Sequence, residues 1–97
     1  MLPRDQIYDY EWPKHIEDKV FSGHGLTREE VESAFASLHA PSGRAGDDDR
    51  RVFYGKTSTD RHIMVVYVKF IRNGVSWARI ITARPLRPKE VRTLFRR

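Results

Sequence analysis

Arg61-His62-Ile63-Met64-Val65-Val66-Tyr67-Val68-Lys69-Phe70 is the stretch that decides the fold. Its inner run, Ile63 to Val68, is apolar at nearly every position. A strand of that kind is covered on both faces, which puts it at the centre of a small sheet. Upstream, Arg51-Val52-Phe53-Tyr54-Gly55-Lys56 reads as a second strand, and Ser76 to Arg84 downstream as a third; both are rich in β-branched and aromatic residues. Thr57-Ser58-Thr59-Asp60 and Arg72-Asn73-Gly74 join the three as turns, so the strands run antiparallel. Lys56, Arg61, Lys69, Arg72, Arg79 and Arg84 sit near strand ends or interrupt the apolar runs, giving an apolar sheet a cationic rim.

Helical signals flank this sheet. Trp12-Pro13 opens a first helix with Pro13 at its first position, where a missing N–H costs nothing. Ile16, Val20 and Phe21 form its apolar side, and Gly23 is expected to close it. Thr27-Arg28-Glu29-Glu30 is a capping box, with Leu26 and Val31 as the staple around it. Val31, Ala34, Phe35 and Leu38 follow at helical spacing, and Pro41 ends the second helix. Pro41 to Asp49 reads as a polar, mobile loop. Leu86-Arg87-Pro88-Lys89-Glu90 starts a last short helix whose apolar residues are Val91, Leu94 and Phe95. Ile7, Tyr8 and Tyr10 offer a short edge strand. The expected fold is α+β: two N-terminal helices packed on a three- to four-stranded antiparallel sheet, then a short C-terminal helix, all in one domain over residues 1–97.

Composition narrows the function classes. The 97 residues contain no cysteine, which excludes disulfides, thiolate metal sites and a thiol nucleophile. No apolar run approaches the ~20 residues that span a bilayer, so a cytoplasmic protein without a membrane partner is expected. The net charge of +5 is unevenly spread. Residues 1–49 carry five Lys/Arg against eleven Asp/Glu, and residues 50–97 carry thirteen against two. A basic half built on a sheet suits a polyanion such as nucleic acid. A solvated basic surface neutralised by the acidic half fits the composition equally well. The triple Asp47-Asp48-Asp49 has no matching His ligands, and no metal or cofactor is expected.

Trp12, His24-Gly25-Leu26-Thr27 with Glu29-Glu30-Val31, Gly55-Lys56-Thr57, and Arg79-Ile80-Ile81-Thr82-Ala83-Arg84, followed by Glu90 and Phe95, resemble the BrnT-like toxin family in order and spacing. The resemblance runs from Glu11 to Phe95. It implies a RelE-like fold and a metal-independent ribonuclease toxin of a bacterial type II toxin–antitoxin pair. It also implies a cognate small DNA-binding antitoxin as partner, in a homodimer or a toxin–antitoxin heterotetramer. Three positions depart from the family pattern: Gly23 where a basic residue is usual, Phe95 where Tyr is usual, and Ile16 where Lys is common. Gly23 and Phe95 favour a second reading, a non-catalytic module of the same fold that binds RNA or protein.

Metal-free RNA cleavage uses the ribose 2′-hydroxyl as nucleophile, so it needs a proton acceptor, cations on the phosphate and a proton for the leaving oxygen. Arg79 and Arg84 are the candidate phosphate-holding, catalytic cations, because a guanidinium fork grips two oxygens and stays charged. Alternation along a strand points them to opposite faces unless a bulge intervenes. For Arg84 the alternatives are phosphate contact and a structural pair with Glu90. His24 is the candidate general acid/base, its other role being to bond a free helix end. Lys56, Arg61 and His62 are candidate RNA-binding residues beside the Thr57–Asp60 turn, with simple solvation as the alternative for His62. Tyr67 is expected in the core.

Overall fold

The structure, a computed structural model, describes residues 7–35, 42–44 and 50–95, with the backbone alone for 42–44 and 95. In chain order these form β1 (Asp9–Glu11), α1 (Lys14–His24), α2 (Arg28–Ala34), β2 (Ser42–Arg44), β3 (Arg50–Lys56), β4 (His62–Arg72), β5 (Val75–Pro85) and α3 (Pro88–Phe95). Leu38, Pro41 and the triple aspartate lie outside the described residues.

The three expected strands are β3, β4 and β5, paired antiparallel with β4 in the middle. The β4–β5 hairpin turns on Asn73 and Gly74, both at positive φ (52° and 79°), which suits the right-handed twist of the strands it joins. Ile63, Val65 and Tyr67 are fully buried on one face of β4, against Val20 of α1, Leu26, and Val31 and Ala34 of α2. Phe35 stacks on Phe53 at 4.6 Å and meets the Tyr67 ring edge-on at 5.2 Å. The intervening residues Met64, Val66 and Val68 are only half-buried, so the middle strand is sealed on one face rather than both.

Two edge strands enlarge the sheet to five, in the order β1-β5-β4-β3-β2. β1 runs parallel to β5, which makes the sheet mixed rather than antiparallel. Its register is set by long-range contacts such as the Tyr8 N–H donating to the Ser76 carbonyl at 2.7 Å, and nothing local in Asp9-Tyr10-Glu11 announces them. Ser42-Gly43-Arg44, expected as loop, is β2, paired with Phe53, Val52 and Arg51. Its composition has no strand preference; the exposed ladder edge of β3 recruits it.

The helix boundaries shift in ways that have local causes. Pro13 is the N-cap of α1 rather than its first residue, its carbonyl accepting from the Ile16 and Glu17 N–H groups. α1 runs through Gly23 and closes on Gly25, whose φ of 67° is the left-handed geometry that glycine adopts without strain. The capping box of α2 is complete. Thr27 Oγ1 accepts from the Glu30 N–H at 3.1 Å, and Glu30 Oε1 accepts from the Thr27 N–H at 3.3 Å. Thr27→Ala should therefore lower stability by about 1 kcal/mol in a urea titration, with an unchanged m-value.

Candidate functional site

The parity problem posed by Arg79 and Arg84 is resolved inside β5. Val66 pairs with Thr82 and Tyr67 with Ile80, so Ile81 is an extra residue in the ladder, a β-bulge. Alternation therefore resets between Ile80 and Thr82. Ala78, Ile80 and Ala83 all face the helices and are fully buried, while Arg79 and Arg84 both stand on the opposite face. α3 packs on that second face, at the end near Arg84.

Their partners on β4 are Val68 and Met64, four residues apart, which at about 3.3 Å per residue separates the two backbones by roughly 13 Å. The guanidinium heads also turn away from each other. Arg79 leans toward the Phe70 ring and Arg84 toward the carbonyl of Pro85. One face thus carries two cationic centres.

At the first centre, Arg84 makes a fork-to-fork pair with Glu90 of α3. Nη1 donates to Oε1 at 3.0 Å, and Nη2 to Oε2 at 2.9 Å. Nη1 also donates to the Pro85 carbonyl at 3.1 Å. Glu90 accepts in addition from the Arg87 N–H at 2.8 Å, which caps the start of α3. The Arg84 bond first, then the Arg87 N–H, holds the Glu90 carboxyl down at about 2. A carboxylate whose folded value lies below its unfolded one stabilises the fold above the unfolded value and loses that contribution as pH falls through the folded one. The α3 attachment should thus be intact at pH 5 and weaken as pH is lowered toward 2, read from Leu94 and Val91 methyl shifts in an acid titration. Beside the pair lies a cleft of 380 Å³, lined by Tyr54, Met64, Arg84, Lys89, Glu90, Thr93 and Leu94.

At the second centre, Arg79 Nε and Arg72 Nη2 both donate to Glu11 Oε1, at 3.3 and 3.5 Å. The guanidinium of Arg72 lies 4.5 Å from the Trp77 ring and 5.0 Å from that of Phe70, and Arg79 lies 5.0 Å from Phe70. From its sequence context Arg72 is only a turn residue on the cationic rim. Its place beside Arg79 follows from hairpin register, since Arg72 opposes Val75 and Phe70 opposes Trp77.

The remaining candidates belong elsewhere. Arg61 reaches across to the helix layer, where its Nη atoms donate to the carbonyls of Gly25 and His24 at 3.3 Å and lie 3.6 Å from Glu30. It pins the junction between α1 and α2. His24 is the last residue of α1, in that helix layer, on the other side of the sheet from Arg84 and Arg79. The structure therefore does not bring His24 together with the two arginines. Lys56 pairs with Asp60 at 2.7 Å, and the bond from Lys56 holds the Asp60 carboxyl below its ordinary value. His62 is half-buried opposite Lys56 at the start of β4.

Several motif residues turn out to build rather than to act. Trp12 Nε1 donates to Glu32 at 2.8 Å, tying the lead-in of α1 to α2. Thr57 is buried, and its hydroxyl accepts from the Thr59 and Arg61 N–H groups, which shapes the β3–β4 turn. Tyr67 is buried as expected.

Among solved structures, the chain matches the crystal structure of the ribonuclease toxin BrnT from Brucella abortus, with a TM-score of 0.63 and 17% identity. The match covers 84% of this chain and 99% of that one. No family model matches the chain, and no curated protein does. No helix among the described residues is long and apolar enough to cross a membrane. The motifs between Glu11 and Phe95 and the course of the backbone point to one architecture: the chain has the fold of the BrnT ribonuclease toxin.

Proposed function

We propose that this protein is an endoribonuclease toxin of a bacterial type II toxin–antitoxin pair, cleaving RNA without a metal ion and blocking translation until a cognate antitoxin binds it. The observation that carries the reading is the state of the Arg84 guanidinium. An arginine has five N–H donors. Glu90 and the Pro85 carbonyl take the two on Nη1 and one on Nη2. Among the described residues the side edge, Nε with the second Nη2 hydrogen, has no partner and stands as a parallel fork, and the side chain is 34% exposed. Structural pairing and phosphate contact are therefore compatible: Glu90 fixes the plane of the fork, and the free edge suits two phosphate oxygens.

In this scheme the 2′-oxygen attacks phosphorus as its proton passes to water, the P–O5′ bond breaks and the 5′-oxygen takes a proton from water. Arg84 stabilises the charge that builds on the phosphate. Glu90, held ionised, orients Arg84 and has no proton to give at neutral pH. Arg79 with Arg72 contacts the strand further along the same face. Lys56 and His62, at the end of the sheet nearer Arg84, extend the RNA path, while Arg61 and His24 serve the helix junction. A small antitoxin that presents carboxylates would be steered to the same face by complementary charge, in a heterotetramer or against a toxin homodimer.

The test is induction in a bacterial host. Growth should stop with loss of intact RNA, and the small protein encoded beside it should restore growth. One observation favours the second reading, a binding module without cleavage: both Arg79 and Arg84 already hold carboxylates. That reading expects salt-sensitive RNA binding, intact RNA and undisturbed growth.

A further inference from the structure

The cleft beside Arg84 has a shape and polarity that the phosphate role leaves unused. Tyr54, Met64 and Leu94 give it an aromatic and aliphatic lining between the sheet and α3. Its 380 Å³ is ample for a planar heterocycle. Arg84 faces the phosphate and the Tyr54 hydroxyl can donate or accept, while Glu90 and Thr93 give the α3 side of the cleft an acceptor edge. Thr93 spends its hydroxyl proton on the Lys89 carbonyl at 3.1 Å, which leaves lone pairs. The Glu90 carboxylate, acceptor-only when ionised, already takes two N–H groups on Oε1 and one on Oε2, so its remaining lone pair is on Oε2. Lys89 adds a mobile cation to that of Arg84, so the cleft favours an anionic ligand carrying a flat base.

We infer that this cleft seats the nucleobase next to the phosphate held by Arg84, and that it selects bases bearing an exocyclic amine. The inference rests on the proposed RNA-cleaving role for its biological meaning, but base seating can be measured without any cleavage. An amine donates to the acceptor edge formed by Glu90 and Thr93, while the ring stacks on Tyr54, a contact open to any base. Uracil, with a carbonyl in place of the amine, sets an acceptor against the Glu90–Thr93 edge.

The experiment is an NMR titration of the intact chain with adenosine 3′-monophosphate, uridine 3′-monophosphate and inorganic phosphate. Adenosine 3′-monophosphate should shift the Met64 and Leu94 methyls and bind roughly tenfold or more tightly than the uridine nucleotide, the worth of one hydrogen bond to a charged acceptor. Thr93→Trp, at an exposed helix position, should fill the slot and abolish that binding. Tyr54→Leu, which keeps apolar volume and removes the ring, should weaken it while thermal unfolding shows both variants folded. The inference is overturned if inorganic phosphate binds as tightly as either nucleotide, if the methyl shifts fall elsewhere, or if Thr93→Trp binds as wild type does. A wild-type chain that seats the nucleotide but leaves RNA intact would sink the toxin reading and keep the base site. Cleavage without any nucleotide seating would do the reverse.

Discussion

Arg84→Ala should reduce RNA cleavage by about 10²–10³-fold, the usual cost of removing one group aimed at the charge of a transition state. The size of the effect comes from position. The bulge at Ile81 puts Arg84 on the face where α3 and the cleft lie, and Glu90 holds its end-on edge. Loss of folding cannot account for a drop of that size, because the Arg84–Glu90 pair is about one-third exposed on both sides. Pairs that exposed are worth roughly 0–1 kcal/mol, so thermal unfolding should move by only a few degrees. Arg84→Lys separates charge from shape. It keeps the cation but loses the planar fork, and most of the cleavage should stay lost. Glu90→Gln should cost less than Arg84→Ala, since the amide still accepts from Arg84 while the ionic part of the clamp disappears. Measured rates that rank these three in the opposite order would show that Glu90, not Arg84, carries the chemistry.

The largest stability effect is expected at Gly55. A Cβ there would stand 2.5 Å from Phe53 Cε1, 2.7 Å from the Ala34 carbonyl oxygen and 3.1 Å from Ala34 Cβ. The Phe53 ring can give way only by disturbing its stack on Phe35, and the Ala34 carbonyl belongs to the backbone of α2. Overpacking of this kind costs roughly 1–3 kcal/mol, and a helix backbone as the obstacle puts Gly55→Ala at the upper end. For a domain of this size each kcal/mol moves the melting temperature by roughly 4–8 °C, which calorimetry resolves easily. Gly23 is the control. Nothing lies within 4 Å of a Cβ added there, and the residue sits inside α1. Gly23→Ala should raise stability by about 0.5–1 kcal/mol. The basic residue that BrnT-like sequences usually carry at that place would meet open space here.

These two glycines show what the sequence made legible. Gly55 was visible as part of a Gly-Lys-Thr segment, but its role as the point where β3 touches α2 depends on a contact with Ala34, 21 positions away. Gly23 looked like a helix stop, yet Gly25 takes that role because it alone of the two adopts a positive φ. Features held by local chemistry were readable: the Thr27–Glu30 box, the Asn73-Gly74 turn, and Ile63 to Val68 as the middle strand, though not its burial on one face alone. Features held by partners distant in sequence were not, including the parallel direction of β1 and the recruited β2.

The candidate site divides the same way. Two readings of Arg84, as phosphate grip or as a partner for Glu90, looked like alternatives in sequence and are accommodated by different edges of one guanidinium. The bulge at Ile81 was only a condition that the sequence could name, since no residue type marks it. Glu11, which holds Arg79 and Arg72 together, comes from the acidic half of the chain. Some of the charge asymmetry between the halves is therefore spent across the fold, on pairs such as Glu11–Arg79 and Glu30–Arg61. His24 drew attention for its chemistry, but its backbone carbonyl is the group in use, as an acceptor for Arg61.

The most direct measurement incubates the purified wild-type chain and Arg84→Ala with a short single-stranded RNA in excess EDTA, and analyses the new ends. The expected result is wild-type cleavage that leaves 2′,3′-cyclic or 3′-phosphate ends and nearly vanishes in the variant. Equal cleavage by both chains, or 5′-phosphate ends that disappear on chelation, would contradict an arginine-held phosphate as the centre of this site.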